Sequence, residues 1–119
     1  MGRGGAHGRG KAAEAVAAWM LRLKGYRIIG RRVRTPVGEI DIIARRRGVT
    51  AFVEVKLRRD RGSALAALRP AQRQRLERAA RWWLSGQGAA LAGSCRFDLV
   101  AVNRWLWPQH VQNAFSFAA

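Results

Sequence analysis

The sequence predicts an α/β fold with the element order α-β-β-β-α-β, in which a mixed sheet is flanked by helices. Apolar residues recur at helical spacing in two segments, 11–24 and 70–85, whereas segments 26–57 and 96–102 are rich in β-branched residues. The chain has 119 residues, of which 49% are hydrophobic, and this is enough to bury one core. We therefore expect a single folded domain over residues 11–119.

The first ten residues are rich in glycine and arginine, so we expect a flexible basic segment over residues 1–10. A helix is expected over residues 11–24, and Gly25 is expected to end it. Four apolar residues at helical spacing predict the buried face of this helix: Val16, Trp19, Met20 and Leu23.

Three strands are predicted after this helix, joined by two short turns. The first strand covers residues 26–34, and the turn Thr35-Pro36-Val37-Gly38 leads into a second strand over residues 39–44. In that second strand acidic residues alternate with isoleucines, as in a strand with two different faces. Residues 45–48 form the second turn, and the third strand covers residues 49–57. The short turns predict antiparallel neighbours.

The remaining chain is expected to supply a loop, a second helix and a last strand. Residues 58–69 are interpreted as a basic loop, and Pro70 suits the first turn of a helix that runs to about Ser85. Residues 86–94 connect this helix to the last strand at 96–102. The second helix is expected to bury one stripe of residues: Leu76, Ala79, Ala80, Trp83 and Leu84.

The C-terminal tail, residues 105–119, is apolar and has no predicted structure. Three tryptophans could stack on bases or join a dimer contact, although packing in or beside the core is the expected alternative: Trp82, Trp105 and Trp107. Asp98, in the last strand, is expected to pair with an arginine.

The charge balance points to an anionic partner. Lysine and arginine number 23 against seven acids, which gives a formal net charge of +16 and a pI of about 12.0. Nucleic acid is the leading candidate, because a partner of opposite charge would relieve this self-repulsion. An anionic membrane surface is the competitor, but we expect no membrane insertion, because no apolar run approaches the roughly 20 residues that span a bilayer.

The cysteine content and the N-terminal segment predict a cytoplasmic location. The single cysteine, Cys95, excludes an internal disulfide and is expected to be buried at the start of the last strand. The N-terminal segment has no apolar core of the kind found in secretory signals.

The hairpin of the second and third strands is expected to bring acidic side chains together. If its turn is centred between Arg47 and Gly48, Asp41 lies opposite Glu54. The same register sets residue 39 opposite residue 56. On the apolar face it pairs isoleucines with valines: Ile40 with Val55, and Ile42 with Val53. Opposed carboxylates repel each other, so a proton, a lysine or a cation is expected between them.

A divalent cation between the opposed acids of the hairpin would allow phosphodiester hydrolysis. Mg²⁺ prefers oxygen ligands and takes only one or two carboxylates together with waters and substrate phosphate. Lys56 projects from the same face as Glu54, and a metal beside an ammonium can activate water and stabilise a phosphodiester transition state. Basic residues outnumber acids over segment 27–61, which would hold a polynucleotide. The alternative is an ordinary surface hairpin with solvated charges.

The segment Gly38-Glu39-Ile40-Asp41, followed by Phe52-Val53-Glu54-Val55-Lys56, resembles the PD-(D/E)xK nuclease signature. The chain most closely resembles the YraN-like family of bacterial proteins, which is similar in fold to archaeal Holliday-junction resolvases. The resemblance runs from the first helix to residues 113–115. It implies a restriction-endonuclease-like core and Mg or Mn as cofactor.

The resemblance also implies roles for individual residues. Asp41 and Glu54 would be metal ligands, with the carbonyl of Val55 as a possible third. Lys56 would be the catalytic lysine, and Glu14 would be an acid of the first helix that reaches the same site. The alternative for Glu14 is a first-turn glutamate that is favourable to the helix dipole.

Two further residues near the motif have open roles. Glu39 could be a ligand or only the salt-bridge partner of Lys56. Gln72 is expected on the sheet-facing stripe of the second helix, where related nucleases can place a polar or basic side chain near the scissile phosphate. The alternative for Gln72 is a polar residue at a helix N-terminus. Nine arginines are expected to contact phosphate: Arg31, Arg32, Arg34, Arg45, Arg46, Arg47, Arg58, Arg59 and Arg61.

The leading hypothesis is a Mg- or Mn-dependent endonuclease that acts on structured or branched DNA, with DNA preferred over RNA as the partner. Four-way junctions have two-fold symmetry, so such an enzyme is expected to be a homodimer. One alternative is a nucleic-acid-binding module that keeps the nuclease fold without turnover. Another is a basic RNA- or ribosome-associated protein whose acids only neutralise nearby arginines.

Overall fold

The computed structural model describes residues 2–86, 91 and 93–116, and for residues 2–9 it describes the backbone alone. The predicted α/β class is confirmed: a five-stranded mixed sheet lies between helices, an arrangement consistent with a restriction-endonuclease-like core. Met1, the tail 117–119 and most of the predicted connection 86–94 lie outside the described residues. The elements are α1 (Gly2–Leu23), β1 (Arg27–Thr35), β2 (Gly38–Arg46), β3 (Val49–Leu57), α2 (Arg61–Ala67), α3 (Pro70–Ser85), β4 (Ser94–Val102) and β5 (Pro108–Phe115).

The strands lie in the order β1-β2-β3-β4-β5. The first three are antiparallel neighbours, as predicted, and β4 is parallel to β3 because α2 and α3 return the chain to the same end of the sheet. Strand β5 pairs antiparallel with β4. One face of the sheet packs against α1 and the other against α3, so both faces are buried. None of the described helices has the length and apolar character needed to cross a membrane.

The hairpin of β2 and β3 has the predicted centre. Arg47 and Gly48 form a two-residue turn, and both have a positive φ, 51° and 77°. This is the pattern of a type I′ turn, whose twist matches that of the flanking strands. The paired residues run from Arg46 opposite Val49 to Ile42 opposite Val53. The register predicted from the turn is therefore confirmed over this part of the hairpin.

Helix α1 differs from the prediction in its start and in its buried face. Its backbone is helical from Gly2, because extending an existing helix adds one hydrogen bond for each residue fixed; that residues 1–10 are mobile stays a prediction. Only part of the predicted apolar stripe faces the core, since Met20 packs against it whereas Trp19 is 62% exposed and Leu23 is 85% exposed. Three alanines and one leucine form the buried face of the helix instead: Ala13, Ala17, Ala18 and Leu21.

Two elements were missed by the sequence prediction. The loop expected over residues 58–69 contains α2, which begins where the Asp60 carboxylate accepts a hydrogen bond from the Ser63 N–H at 2.7 Å. The tail contains β5, an edge strand with few β-branched residues. Both elements become stable by packing against β4, where Ala64 and Leu68 contact Leu99 and its neighbours.

Helix α3 and the residues around it follow the prediction. It spans Pro70–Ser85 and buries Leu76, Ala79, Ala80 and Trp83, while Leu84 is half-buried. The Trp83 ring lies edge-on to Phe52, with 5.9 Å between the ring centroids. Trp82, the neighbouring residue, points outwards and is 45% exposed. Cys95 lies near the start of β4, as predicted, but it is half-buried and not fully buried.

Asp98 lies fully buried in β4 and pairs with an arginine, as predicted. Its carboxylate accepts bonds from Arg96 at 2.8 and 2.9 Å, from His110 Nε2 at 2.7 Å and from the Asn113 N–H at 2.9 Å. Because Lys24 Nζ donates to His110 Nδ1 at 2.7 Å, the proton of this imidazole lies on Nε2. Burial raises the pKa of Asp98, but these bonds outweigh it and the pKa is lowered. The network joins β4 to β5 and to the end of α1.

We expect Asp98→Asn to lower the free energy of unfolding by about 3 kcal/mol, because the Arg96 guanidinium would lose its buried counter-charge. Urea denaturation followed by circular dichroism at neutral pH measures the change. Arg81→Gln, which removes an ion pair between side chains one helical turn apart on α3, is the matched control and should cost less than about 1 kcal/mol. Equal losses in the two variants would contradict a structural role for the buried network.

Candidate active site at the fork between β2 and β3

The strands β2 and β3 separate beyond the pair Ile42–Val53. At that point Asp41 Oδ2 accepts a hydrogen bond from the Val55 N–H at 2.8 Å. In an unbroken ladder, the Val55 N–H would donate to a backbone carbonyl of β2. Because it donates to the Asp41 carboxylate instead, the strands diverge. The predicted pairing of Asp41 with Glu54, and of residue 39 with residue 56, is therefore wrong: within the described residues the ladder stops one pair earlier.

The divergence also changes which side of the sheet each isoleucine faces. Ile42 packs with Val53 on the α1 side, but Ile40 packs with Phe52 and Leu76 on the α3 side. The alternation of side chains thus breaks at residue 41. The prediction that Ile40 shares an apolar face with Val55 is wrong for this reason, and the Asp41 carboxylate lies between the two separating strands.

Two cavities open beside this fork. The first has a volume of about 400 Å³, lies on the α1 side, and is bordered by Glu14, Asp41 and the Val55 region of β3. The second has a volume of about 180 Å³, lies on the α3 side, and is bordered by Glu54 and Gln72. Glu39 borders both cavities. The acids of the motif thus lie around the fork. Asp41 borders the cavity on the α1 side, and Glu54 borders the cavity on the α3 side.

Glu14 lies on the inner face of α1 and is only 7% exposed. Its carboxylate pairs with Arg32 Nε at 3.0 Å and with Arg31 Nη2 at 3.8 Å. Because α1 begins at Gly2, Glu14 is not in the first turn of the helix, which excludes the helix-dipole alternative. The helix brings Glu14 to the cavity that contains Asp41.

Burial raises the pKa of both acids of the fork. The pKa of Asp41 rises to about 6 through burial, helped by the charges of Glu14 and Glu39 and opposed by the Val55 N–H and Lys56. The pKa of Glu54 rises to about 7 through burial and the charge of Asp41, against the lowering effect of Lys56. Burial therefore favours the protonated form of both carboxyls, and a cation placed beside them would favour the ionised form.

Lys56 is held in place by contacts from two elements. Its Nζ lies 3.5 Å from Glu54 Oε1, and its side chain is 13% exposed. In the orientation that satisfies both ends of its amide, Gln72 accepts a bond from Lys56 Nζ at 3.0 Å and donates to the Ala67 carbonyl at 2.8 Å. Gln72 therefore orients the lysine, a contact that sequence spacing could not predict because it joins α3 to β3.

Glu39 and Arg75 complete the rim of the site. Glu39 pairs with Arg34 across the β1–β2 ladder at 3.7 Å, and among the described residues no ion pair joins Glu39 to Lys56. Its role as a ligand stays a prediction. Arg75 borders the α3-side cavity and was missed by the sequence prediction. Residues three apart on a helix lie on the same face, so the position of Arg75 relative to Gln72 could have predicted that it borders the same site.

The nine predicted phosphate-binding arginines occupy three places. Arg31, Arg32 and Arg34 lie on β1 beside the α1-side cavity, and segment 58–61 follows directly after β3. Segment 45–47 lies at the hairpin turn, at the far end of the strands from the fork. There the Arg45 guanidinium donates to Thr50 Oγ1 at 2.7 Å, and that of Arg46 to the Lys24 carbonyl at 2.8 Å.

The oxygen donors at the fork are of the type that a hard divalent cation prefers. In the part of the chain that the structure describes, no three His, Cys, Asp or Glu side chains lie close enough together to hold an ion. The predicted ligands are the carboxylates of Asp41 and Glu54, with the Val55 carbonyl as a third. Mg²⁺ commonly takes only one or two carboxylates from a protein, and water and substrate phosphate fill its other positions.

We expect Glu54→Gln to gain stability relative to the wild type as the pH rises from about 4 to about 7. The folded protein binds the Glu54 proton more tightly than the unfolded chain, so ionisation in this window destabilises the wild type, whereas glutamine cannot ionise. The gain approaches about 3 kcal/mol, since each pKa unit corresponds to about 1.4 kcal/mol.

Urea denaturation in EDTA at several pH values measures this difference. Asp60→Asn is the control, because the pKa of that exposed carboxyl is lowered through its bond to Ser63, so it stays ionised throughout the window. A stability difference between Glu54→Gln and wild type that does not change with pH would contradict the burial of Glu54.

Comparisons with known proteins identify the family. A protein from Mesorhizobium japonicum is 52% identical over 110 residues, which cover 92% of this chain and 88% of that protein. A protein from Sinorhizobium medicae is 50% identical over 107 residues, with 90% and 88% coverage, and one from Brucella canis is 47% identical over 108 residues, with 91% and 86% coverage. The family profile matches residues 13–102, and the chain belongs to the uncharacterised protein family UPF0102, the YraN-like family.

Proposed function

We propose that this protein is a Mg²⁺- or Mn²⁺-dependent endonuclease that hydrolyses phosphodiesters of structured or branched DNA. The observation that carries the proposal is the fork, where two partly buried acids of raised pKa lie near a lysine that contacts Glu54 and Gln72. Perturbed acids in a cavity are more typical of functional sites than of surface charges. The resemblance to the PD-(D/E)xK signature supports the same assignment for these residues.

The residues of the fork have separate roles in this proposal. Asp41 and Glu54 would hold the cation, which when bound would polarise a phosphoryl oxygen and lower the pKa of a bound water. Lys56 would place a positive charge beside the phosphate as negative charge grows on its oxygens. Gln72 would act as a positioning residue, since it contacts the lysine and not the phosphate. Glu14 would retain Arg31 and Arg32 at the rim of the cavity.

The proposed reaction is an in-line hydrolysis. The oxygen of a water molecule forms a bond to phosphorus while the bond to the leaving ester oxygen breaks. One proton leaves the attacking water and one is taken up by the leaving oxygen, so that the products are a phosphate monoester and a hydroxyl. Arginines on β1 and after β3 would contact the flanking phosphates. DNA rather than RNA as the partner, and a cytoplasmic location, are parts of this proposal.

The buried acids favour this function over a binding module that shares the fold without turnover. A buried charge without a full counter-charge lowers stability, and a protein that only binds nucleic acid gains nothing from it. Asp98 is a useful contrast, because its counter-charge is complete. The binding module is therefore kept only as an outcome of the experiment below.

We expect the purified protein to nick branched DNA with Mn²⁺ or Mg²⁺, and Asp41→Ala and Glu54→Ala to abolish cleavage while DNA binding persists. Lys56→Met should reduce the rate by roughly 10²–10³-fold, because it removes a charge that acts on the transition state. A panel of linear, flapped and four-way substrates on denaturing gels measures the rates, and Asp60→Asn, an exposed acid outside the fork, is the matched control.

Two results would contradict the proposal. If the protein binds DNA but nicks no topology with either ion, the binding module is the better description. If Asp41→Ala leaves cleavage intact, the activity belongs to another site or to a contaminant.

We also propose that the protein binds four-way junctions as a homodimer, because these junctions have two-fold symmetry. We expect analytical ultracentrifugation to show two chains for each junction in EDTA, where no cleavage occurs. A flapped substrate without two-fold symmetry is the control and should bind one chain. A single chain on both substrates would contradict junction resolution and would leave flapped or single-stranded DNA as the substrate class.

A further inference from the structure

The loop between β4 and β5, residues 103–107, presents two large aromatic side chains to solvent. Trp105 is 75% exposed and Trp107 is 68% exposed. Tryptophan is one of the residues that a fold buries most completely on average, so two exposed rings in one short loop require an explanation. Packing beside the core, which the sequence favoured, does not occur for either ring.

The loop itself is closed by its own hydrogen bonds. The Asn103 side-chain oxygen accepts bonds from the N–H groups of Trp105 at 2.9 Å and Trp107 at 3.0 Å. The Asn103 N–H donates to the Trp107 carbonyl at 3.1 Å, and its carbonyl accepts from Leu106 at 2.9 Å. Leu106 has a positive φ of 61°, a conformation that persists only where its surroundings hold it. The two rings are thus presented by an ordered turn.

The surroundings of this loop are basic. The Arg104 guanidinium lies 4.7 Å from the centroid of the Trp105 ring. A cavity of about 240 Å³ separates Trp105 from Arg58 and Arg59. Indole faces beside guanidinium groups suit a ligand that is both aromatic and anionic, and unstacked nucleotides have this chemistry.

The position of the loop connects it to the fork. Strands β3 and β4 are parallel and end together, with Leu57 opposite Val102, and the Arg58 N–H donates to the Val102 carbonyl at 3.0 Å. The tryptophan loop therefore begins beside the end of the strand that carries Glu54 and Lys56. Leu57 borders both the tryptophan cavity and the cavity of Asp41.

We propose that Trp105 and Trp107, with the arginines around them, form a platform that stacks the unpaired bases of single-stranded DNA next to the scissile phosphodiester. The inference rests on the proposed function for what is cleaved, and it narrows the substrate class to DNA with an unpaired segment beside the cut. Duplex DNA keeps its base faces stacked and would leave the rings unused. A second copy of this chain does not fit, because a net charge of +16 opposes contact through a basic surface.

The platform is tested by binding in EDTA, which removes divalent cations, so that no cleavage is needed. Fluorescence anisotropy compares labelled oligo(dT) with a duplex of equal length. We expect Trp105→Ala and Trp107→Ala each to weaken oligo(dT) binding about tenfold, the effect of losing one stacked base, and to change duplex binding less than twofold. Trp105→Phe should restore most of the affinity.

Trp82→Ala is the matched control, because it removes a partly exposed tryptophan from α3 and should leave both affinities unchanged. Urea denaturation should give wild-type stability for the loop variants, since the removed rings are exposed. Oligo(dT) should also quench tryptophan fluorescence in the wild type, and the double variant Trp105→Ala/Trp107→Ala should lose most of that quenching.

The salt dependence separates stacking from charge. Trp105→Ala should lower the affinity equally at all salt concentrations, because a stacked ring releases no counterions. Arg104→Gln should reduce the slope of log affinity against log salt by about 0.7, the value for one phosphate contact on a single strand.

Four outcomes would overturn the platform: unchanged oligo(dT) affinity in both loop variants, equal losses for duplex and single strand, equal losses in Trp82→Ala, or binding of RNA of the same length more than tenfold tighter than DNA. Each is read without cleavage. If the protein cleaves no DNA but the loop variants lose oligo(dT) binding selectively, the proposed function alone is overturned. If the protein cleaves DNA but the loop variants do not lose oligo(dT) binding selectively, the platform alone is overturned.

Discussion

The hydrogen bond from the Val55 N–H to the Asp41 carboxylate is the contact on which the candidate site depends. A side chain here replaces a backbone carbonyl as the acceptor, so the second and third strands cannot remain paired beyond Ile42 and Val53. The separation opens a cavity on each side of the sheet. It also explains why the acids of the motif are buried without being directly opposed, and why Ile40 crosses to the other face of the sheet.

Two aspartates of the sheet differ in burial and in partners: Asp98 is fully buried, and Asp41 is partly buried. Asp98 accepts bonds from Arg96, His110 and a backbone amide, and its pKa is lowered although burial acts against this. Burial raises the pKa of Asp41, and nearby negative charges add to this effect while its one backbone donor opposes it. The first arrangement joins strands and stabilises the fold. The second favours the protonated carboxyl, and a cation bound beside it would favour the ionised form.

The parallel pairing of β3 and β4 determines what lies near the fork. Because β3 and β4 end at the same edge of the sheet, the loops that follow them begin side by side at the end of the strand that carries Glu54 and Lys56. The arginines before α2 and the tryptophan loop before β5 meet there, although they are about 45 residues apart in the sequence. Ligand sites in α/β folds commonly lie at the carboxyl ends of strands for the same geometric reason.

The sequence by itself determined the hairpin centre at Arg47 and Gly48, the helix after Pro70 and an arginine partner for Asp98, because these depend on neighbours close along the chain. Only the tertiary structure decided which face of α1 is buried, where the ladder stops, that β5 forms and that Gln72 orients Lys56. Periodicity gives two possible faces for a helix that carries both alanines and large apolar residues. Packing against the sheet, which involves residues far apart in sequence, selects one of them.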